Sequence, residues 1–167
     1  MISEFEKKWL EGLEKARRKA FEQGNEALAE YLELKVSNDQ IRLRESKKLI
    51  DAFLKKLDQL ENINLQVETK DAYQFEMFGA TLTGFCLSVS FGIRQLFVEV
   101  GWTRLPKDGF MRKGALAYCR ISHFGRNEKQ EFLLVNRDLP RWVLAENRQV
   151  VFDSSFVEYH LSLLLRD

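Results

Sequence analysis

The stretch Ala29–Leu60, AEYLELKVSNDQIRLRESKKLIDAFLKKLDQL, repeats its apolar side chains at alternating steps of three and four residues. The two series of this repeat are Ala29, Val36, Leu43, Ile50 and Leu57, and Leu32, Asp39, Ser46, Phe53 and Leu60. No Gly or Pro interrupts them, so the spacing predicts one long helix with a coiled-coil-like seam. Asp39 and Ser46 are polar seam positions, and the poor helix formers that cluster at residues 36–39 mark where the helix could break.

A shorter helix precedes this one and is predicted to pair with it. Ser3 and Glu6 have the spacing of a capping box, which satisfies free amide groups at a helix start. Gly24 can end the first helix and Asn25 can begin the second. The short link predicts an antiparallel helical hairpin, and residues 1–64 are expected to form a helical arm.

The first helix is too short to cover the whole seam of the second. The uncovered part predicts a contact with a protein partner or a second copy of the chain, a homodimer. The residues expected to make this contact are Leu32, Val36, Leu43 and Ile50. The segment from Phe53 to Leu60 is expected to pack on the second half of the chain instead.

From residue 65 the apolar pattern changes to a period of two, which is typical of half-buried strands. The alternation in Phe85–Phe91 and in Leu96–Trp102 is the clearest. Helical spacing returns at the end, from Phe156 to Leu165. The order predicts an α+β fold in which residues 65–167 form an antiparallel sheet or barrel of about six to seven strands, closed by a C-terminal helix. In element count alone, this arrangement resembles a pleckstrin-homology-like barrel.

Composition limits the classes of protein and the kinds of site. The formal net charge of the 167 residues is +1, so the chain as a whole is not a polyanion binder. Cys86 and Cys119 lie in apolar strand patterns and do not form a disulfide framework. No apolar run is long enough to span a bilayer, and no secretory signal is evident, so we expect a cytoplasmic protein.

The residues offer little chemistry for catalysis. Cys119 and His123 share one face of a predicted strand, so a thiol nucleophile is conceivable, but no oxyanion site accompanies it. His160 fits a buried position on the last helix. His and Cys lack the spacing of metal ligands, and nucleotide-binding loops are absent. We therefore expect no catalytic residues, no metal and no cofactor, although an enzyme is not excluded.

One window of the second half is basic. Between Arg104 and Lys129 there are seven basic residues and two acidic ones. Basic side chains neutralise phosphates, and the aromatic residues among them offer stacking surfaces. The candidate anion- or nucleic-acid-binding residues are Arg104, Lys107, Arg112, Lys113, Arg120 and Arg126.

Two functions follow from these patterns. The first is a non-enzymatic interaction or adaptor protein, which self-associates or docks through the helical arm and recognises a partner with the β domain. The alternative is a nucleic-acid- or anionic-ligand-binding module that uses the basic surface from Arg104 to Lys129.

Overall fold

The computed structural model describes residues 3–166 and contains three helices and six strands. The helices are α1 (Glu4–Glu22), α2 (Glu26–Asp58) and α3 (Ser154–Leu165). The strands are β1 (Gln66–Met77), β2 (Ala80–Phe91), β3 (Arg94–Trp102), β4 (Ala115–Phe124), β5 (Lys129–Asn136) and β6 (Pro140–Leu144). The predicted α+β class is therefore confirmed, with the helical segments and the strands in the predicted order.

The hairpin begins and turns where the sequence predicts. The Ser3 hydroxyl accepts a hydrogen bond from the amide of Glu6 at 3.3 Å and caps α1. Gly24 takes a positive φ of 75° after α1, and the Asn25 side chain accepts from the amide of Leu28 at the start of α2. These contacts satisfy helix-end amides that would otherwise lack partners.

Helix α2 is continuous through residues 36–39, where a break was conceivable. Asp39 is buried, and its carboxylate accepts hydrogen bonds of 2.6 Å from Trp9 Nε1 and from Arg42. Burying an unpaired carboxylate costs free energy of folding. The two hydrogen bonds pair the Asp39 carboxylate and so allow a polar residue at this seam position. The contact with Trp9 also shows that this part of α1 faces the seam.

The described part of the chain divides into two compact units, with the division between residues 44 and 45. The division lies inside α2, whereas the predicted domain boundary at residues 64 and 65 rests on the change in secondary structure. That boundary stays a prediction, and its outer limits, residues 1 and 167, lie outside the described residues.

The second unit contains an antiparallel sheet in the order β1-β2-β3-β4-β5-β6, so each strand pairs with its neighbours in sequence. The segment that follows β6 turns back and adds an isolated bridge between Val143 and Val151. One sheet face packs on α3 and on residues 45–58 of α2. There Phe132 contacts Phe152 and Phe156, Phe53 contacts Phe152, and Trp142 Nε1 donates to the carbonyl of Glu45.

The opposite face carries a second apolar cluster. The register of the strand pairs places Phe75 beside Leu82, Tyr118 beside Leu133, and Leu133 beside Val143. These side chains form one buried cluster near the strand ends that lead into the β1–β2, β3–β4 and β5–β6 connections. The cluster supports the end of the sheet where the candidate site lies.

Candidate anion-binding cleft

A sheet whose strands pair in sequence order brings alternate connections to the same end. The β1–β2, β3–β4 and β5–β6 connections therefore share one end, which we call the cleft end. The longest of them, between β3 and β4, contains a short 3-10 helix over Pro106–Asp108. Asp108 Oδ2 accepts from the amides of Arg104 and Leu105, at 3.1 and 2.9 Å. This part of the connection is thus a hydrogen-bonded structure.

A cleft of about 610 Å³ lies at this end. It is lined by Lys113, Gly114, Val135, Asn136, Arg137, Arg141, Val143 and Arg148. The lining contains four cationic side chains and no carboxylate. Two valines supply apolar surface, and the cleft falls within the range of about 300–1,000 Å³ typical of small-ligand sites.

Four separate segments supply the cations. Lys113 directly precedes β4, Arg137 lies in the β5–β6 turn, Arg141 is in β6, and Arg148 lies in the loop after β6. Arg141 is paired with Val135 and therefore points to the same sheet face as Val135 and Val143. Arg148 Nη1 donates a 2.9 Å hydrogen bond to the carbonyl of Lys113, which ties two of the segments together.

The electrostatics of the cleft favour an anion. Lys113, Arg137, Arg141 and Arg148 are all exposed, and none forms a salt bridge within the part of the chain that the structure describes. Asp138 and Glu146 are close in sequence but do not line the cleft. Like charges gathered around one concavity raise its positive potential, and an anion with several oxygens can bind several of them at once.

Four of the six basic residues predicted from the sequence lie in the β3–β4 connection at the cleft end, and three of them are exposed. Lys113 lines the cleft itself. Lys107 is exposed in the short 3-10 helix. Arg112 is exposed and its guanidinium lies 4.7 Å from the ring centre of Phe78. All three can act on an anion at this end, Lys113 by contact and the others through their charge.

The other three are directed elsewhere. Arg104 is buried, donates to the carbonyl of Thr83 and lies over the ring of Trp102. Arg120 is held by Glu99. Arg126 lies in the β4–β5 turn, at the opposite end of the sheet. The assignment of these three residues to an anion site stays a prediction. Their partners and their places in the fold do not favour it.

The sequence window missed Arg137, Arg141 and Arg148, because all three lie beyond residue 129. A signal for them was present, since arginine outnumbers lysine throughout the second half of the chain. What the linear window lacked was the pairing of β4 with β5 and β5 with β6, which places residues 137–148 beside Lys113.

A polar network lies on the same sheet face as the cleft. Tyr73 donates a 2.7 Å hydrogen bond to Glu99 Oε2, and Arg120 donates a 2.9 Å bond to Glu99 Oε1. Burial, then the bond to Glu99, raises the pKa of Tyr73. Burial also raises the pKa of the nearby Cys86 thiol to about 11. The network pairs a buried carboxylate and leaves Cys86 a neutral thiol at neutral pH.

The Cys119–His123 pairing is not formed. His123 Nε2 lies 2.9 Å from His160 Nδ1, and His160 Nε2 lies 2.6 Å from Gln130 Oε1. Burial raises the pKa of Cys119 well above its ordinary value, so the thiolate required of a nucleophile is disfavoured. This geometry counts against a thiol enzyme at Cys119.

The predicted partner-binding residues of α2 differ in exposure. Leu43 and Ile50 are buried, whereas Leu32 and Val36 are partly buried. On another side of α2 the apolar side chains of Tyr31 and Leu34 are 60% and 61% exposed. A partner of the arm would therefore find more apolar surface at these two residues than along the predicted seam.

Three further findings bear on the kind of protein. Within residues 3–166, no group of three or more His, Cys, Asp or Glu side chains is arranged to hold a metal ion. Over the same residues, no helix combines the length and apolar character needed to cross a membrane. Comparison with protein-family models, curated proteins and solved structures finds no match.

Proposed function

We propose that this chain is a non-enzymatic binding module whose basic cleft binds a phosphate-bearing anion. The observation that carries the proposal is the convergence of Lys113, Arg137, Arg141 and Arg148 on one concavity without a carboxylate in its lining. Arginine guanidinium groups bind phosphate oxygens in pairs, and a lysine adds a point charge.

The test is calorimetric titration of the full chain with sodium tripolyphosphate at low salt. We expect saturable binding that weakens as salt is added. Arg141→Glu is expected to weaken it about tenfold or more, because a charge-assisted hydrogen bond contributes roughly 1.5–3 kcal/mol. Lys55→Glu is the matched control, since Lys55 is an exposed cation of α2 outside the cleft. No heat of binding, or equal losses in the two variants, would refute the proposal.

A second function concerns the arm, and it follows from the exposed Tyr31 and Leu34. The proposed partner is a second copy of the chain. Glu30 and Glu33 beside this patch are acidic and exposed, whereas α1 exposes basic side chains at Lys15, Arg18 and Lys19. Two copies could thus place the acidic part of one arm on the basic part of the other.

Sedimentation equilibrium over a range of concentrations tests this self-association. A monomer–dimer equilibrium is expected, and Leu34→Glu should shift it to monomer without loss of helix. Leu34 is exposed, so the substitution removes no core side chain. A wild-type protein that stays monomeric at the highest concentration would dismiss the dimer.

A further inference from the structure

Large apolar side chains project from the loops that border the cleft. Phe110 is 89% exposed and lies three residues before Lys113. Leu139 is 71% exposed and lies between Arg137 and Arg141. Isolated exposed apolar residues are ordinary on protein surfaces. Here two of them accompany the cations of the same cleft.

The loop that carries Phe110 is a structured one. Gly109, on one side, has a φ of 101°, and a Cβ built there would lie 3.3 Å from the Cα of Ala80, the first residue of β2. Met111, on the other side, packs against the apolar cluster beneath the cleft. Both neighbours of Phe110 are therefore held against the protein, while its own ring stays in solvent.

We infer that the cleft end docks on the surface of a bilayer that contains anionic lipids. In this arrangement Phe110 and Leu139 insert into the interfacial region, and the cleft binds a lipid phosphate. The inference rests on the proposed function, because the phosphate site is the same. Lys107 and Arg112 add attraction to an anionic surface on the same end of the sheet.

The apolar side chains favour a bilayer over single-stranded nucleic acid. Recognition of single strands relies on aromatic faces for base stacking. Leu139 has no aromatic ring, and the ring of Phe78 is already contacted by Arg112 and Tyr118. Phe110 is then the one strongly exposed aromatic ring among the described residues of this end. Aliphatic and aromatic tips flanked by cations fit the headgroup and acyl boundary of a membrane.

The experiment is flotation of the full chain with vesicles. Vesicles of phosphatidylcholine mixed with phosphatidylglycerol are expected to carry the protein, and vesicles of phosphatidylcholine alone are not. Phe110→Ser and Leu139→Ser are each expected to weaken vesicle binding about tenfold or more, because each removes several buried CH₂ equivalents from the interface. Both variants should bind tripolyphosphate as the wild type does. Since both positions are exposed, neither substitution removes a core side chain.

Ile93→Ser provides the matched control. Ile93 is also 89% exposed, but it lies in the β2–β3 turn, at the opposite end of the sheet. This variant should float as the wild type does. If Phe110→Ser and Leu139→Ser float as the wild type does, the cleft end is not the docking surface, whatever the effect of Ile93→Ser.

The two proposals fail in different ways. Tripolyphosphate binding without flotation would overturn the membrane inference and leave the anion site standing. A labelled single-stranded oligonucleotide that binds in a Phe110-dependent manner, with no vesicle binding, would also overturn it and identify the partner as nucleic acid. Loss of both tripolyphosphate binding and flotation in the wild type would overturn both proposals.

Discussion

The guanidinium of Arg148 donates a 2.9 Å hydrogen bond to the backbone carbonyl of Lys113, across 35 residues of sequence. The bond joins the loop after β6 to the residue before β4, and it holds two of the four cleft cations close to each other. Gly114 lies directly beside it, with a φ of 78°, and a Cβ built there would lie 3.3 Å from Arg148 Nη1. The shape of the cleft therefore depends on a glycine as well as on its charges.

Gly114→Ala should weaken anion binding although it changes no charge. The new methyl group must push the end of the Arg148 side chain aside by a few tenths of an ångström, and the left-handed backbone costs roughly 1–2 kcal/mol for a residue with a Cβ. We expect a lower melting temperature together with a several-fold loss of tripolyphosphate affinity, measured by thermal unfolding and calorimetry.

Gly125→Ala separates the two effects of that substitution. Gly125 has a similar φ of 86°, but no atom lies within 4 Å of a Cβ built there. Its melting temperature should fall comparably while its anion affinity stays at the wild-type value. Equal affinities in the two variants would show that Gly114 does not shape the cleft.

The dependence of anion affinity on salt concentration should show how many cations of the cleft contact phosphate. With a single-stranded oligonucleotide as a polyanionic probe, the logarithm of the binding constant should fall linearly with the logarithm of salt concentration, by about 0.7 for each phosphate neutralised. Arg141→Glu should reduce this slope by about that amount or more. Lys55→Glu should leave the slope unchanged, and an unchanged slope in Arg141→Glu would place the oligonucleotide elsewhere.

Much of the fold could be predicted because its signals are local. The seam of α2, the cap at Ser3, and the alternation in β2 and β3 depend on residues close in sequence. The hydrogen bond that pairs the buried Asp39 comes from a distant residue, Trp9, which periodicity does not identify as the donor.

The cleft could be predicted only in part, since strand pairing assembles it. The basic window of the sequence, residues 104–129, contains Lys113, but it also contains Arg104 and Arg120. Their side chains bind the carbonyl of Thr83 and the carboxylate of Glu99. Such long-range partners decide which cations remain available to a ligand. The composition of the sequence does not show these partners.

Acidification should destabilise the fold through the two buried histidines. Burial lowers the pKa of His123, and Arg126 lowers it further, against a smaller opposing effect of Glu128. Burial and then His123 lower the pKa of His160 from 6.5 to about 4. The unfolded chain therefore binds more protons than the folded chain between about pH 6.5 and about pH 4, and stability falls as the pH falls through this window.

The loss should level off below about pH 4, where the folded state also protonates. The contribution of His160 to this loss in the free energy of unfolding is up to about 3 kcal/mol, at 1.4 kcal/mol for each unit of pKa. Urea unfolding of the wild type and of His160→Gln over this pH range measures the contribution. The stability of the variant should fall less steeply, and parallel curves would show that His160 does not contribute.

Asp39→Ala should destabilise the helical hairpin. The substitution removes the acceptor of two 2.6 Å hydrogen bonds, from Trp9 and from Arg42. Each bond to a charged group contributes about 1.5–3 kcal/mol. The better helix propensity of alanine offsets at most about 0.7 kcal/mol. A net loss of about 2 kcal/mol or more is therefore expected in the free energy of unfolding, followed by far-ultraviolet circular dichroism in urea.

Two further variants show whether that loss comes from the carboxylate. Asp39→Asn keeps an oxygen that can accept from Trp9, so its loss should be smaller than that of Asp39→Ala. Ser37→Ala changes an exposed residue of the same helical turn and should stabilise slightly through helix propensity alone. If Asp39→Ala behaves like Ser37→Ala, the buried carboxylate does not hold α1 against α2, and apolar packing along the seam accounts for the hairpin by itself.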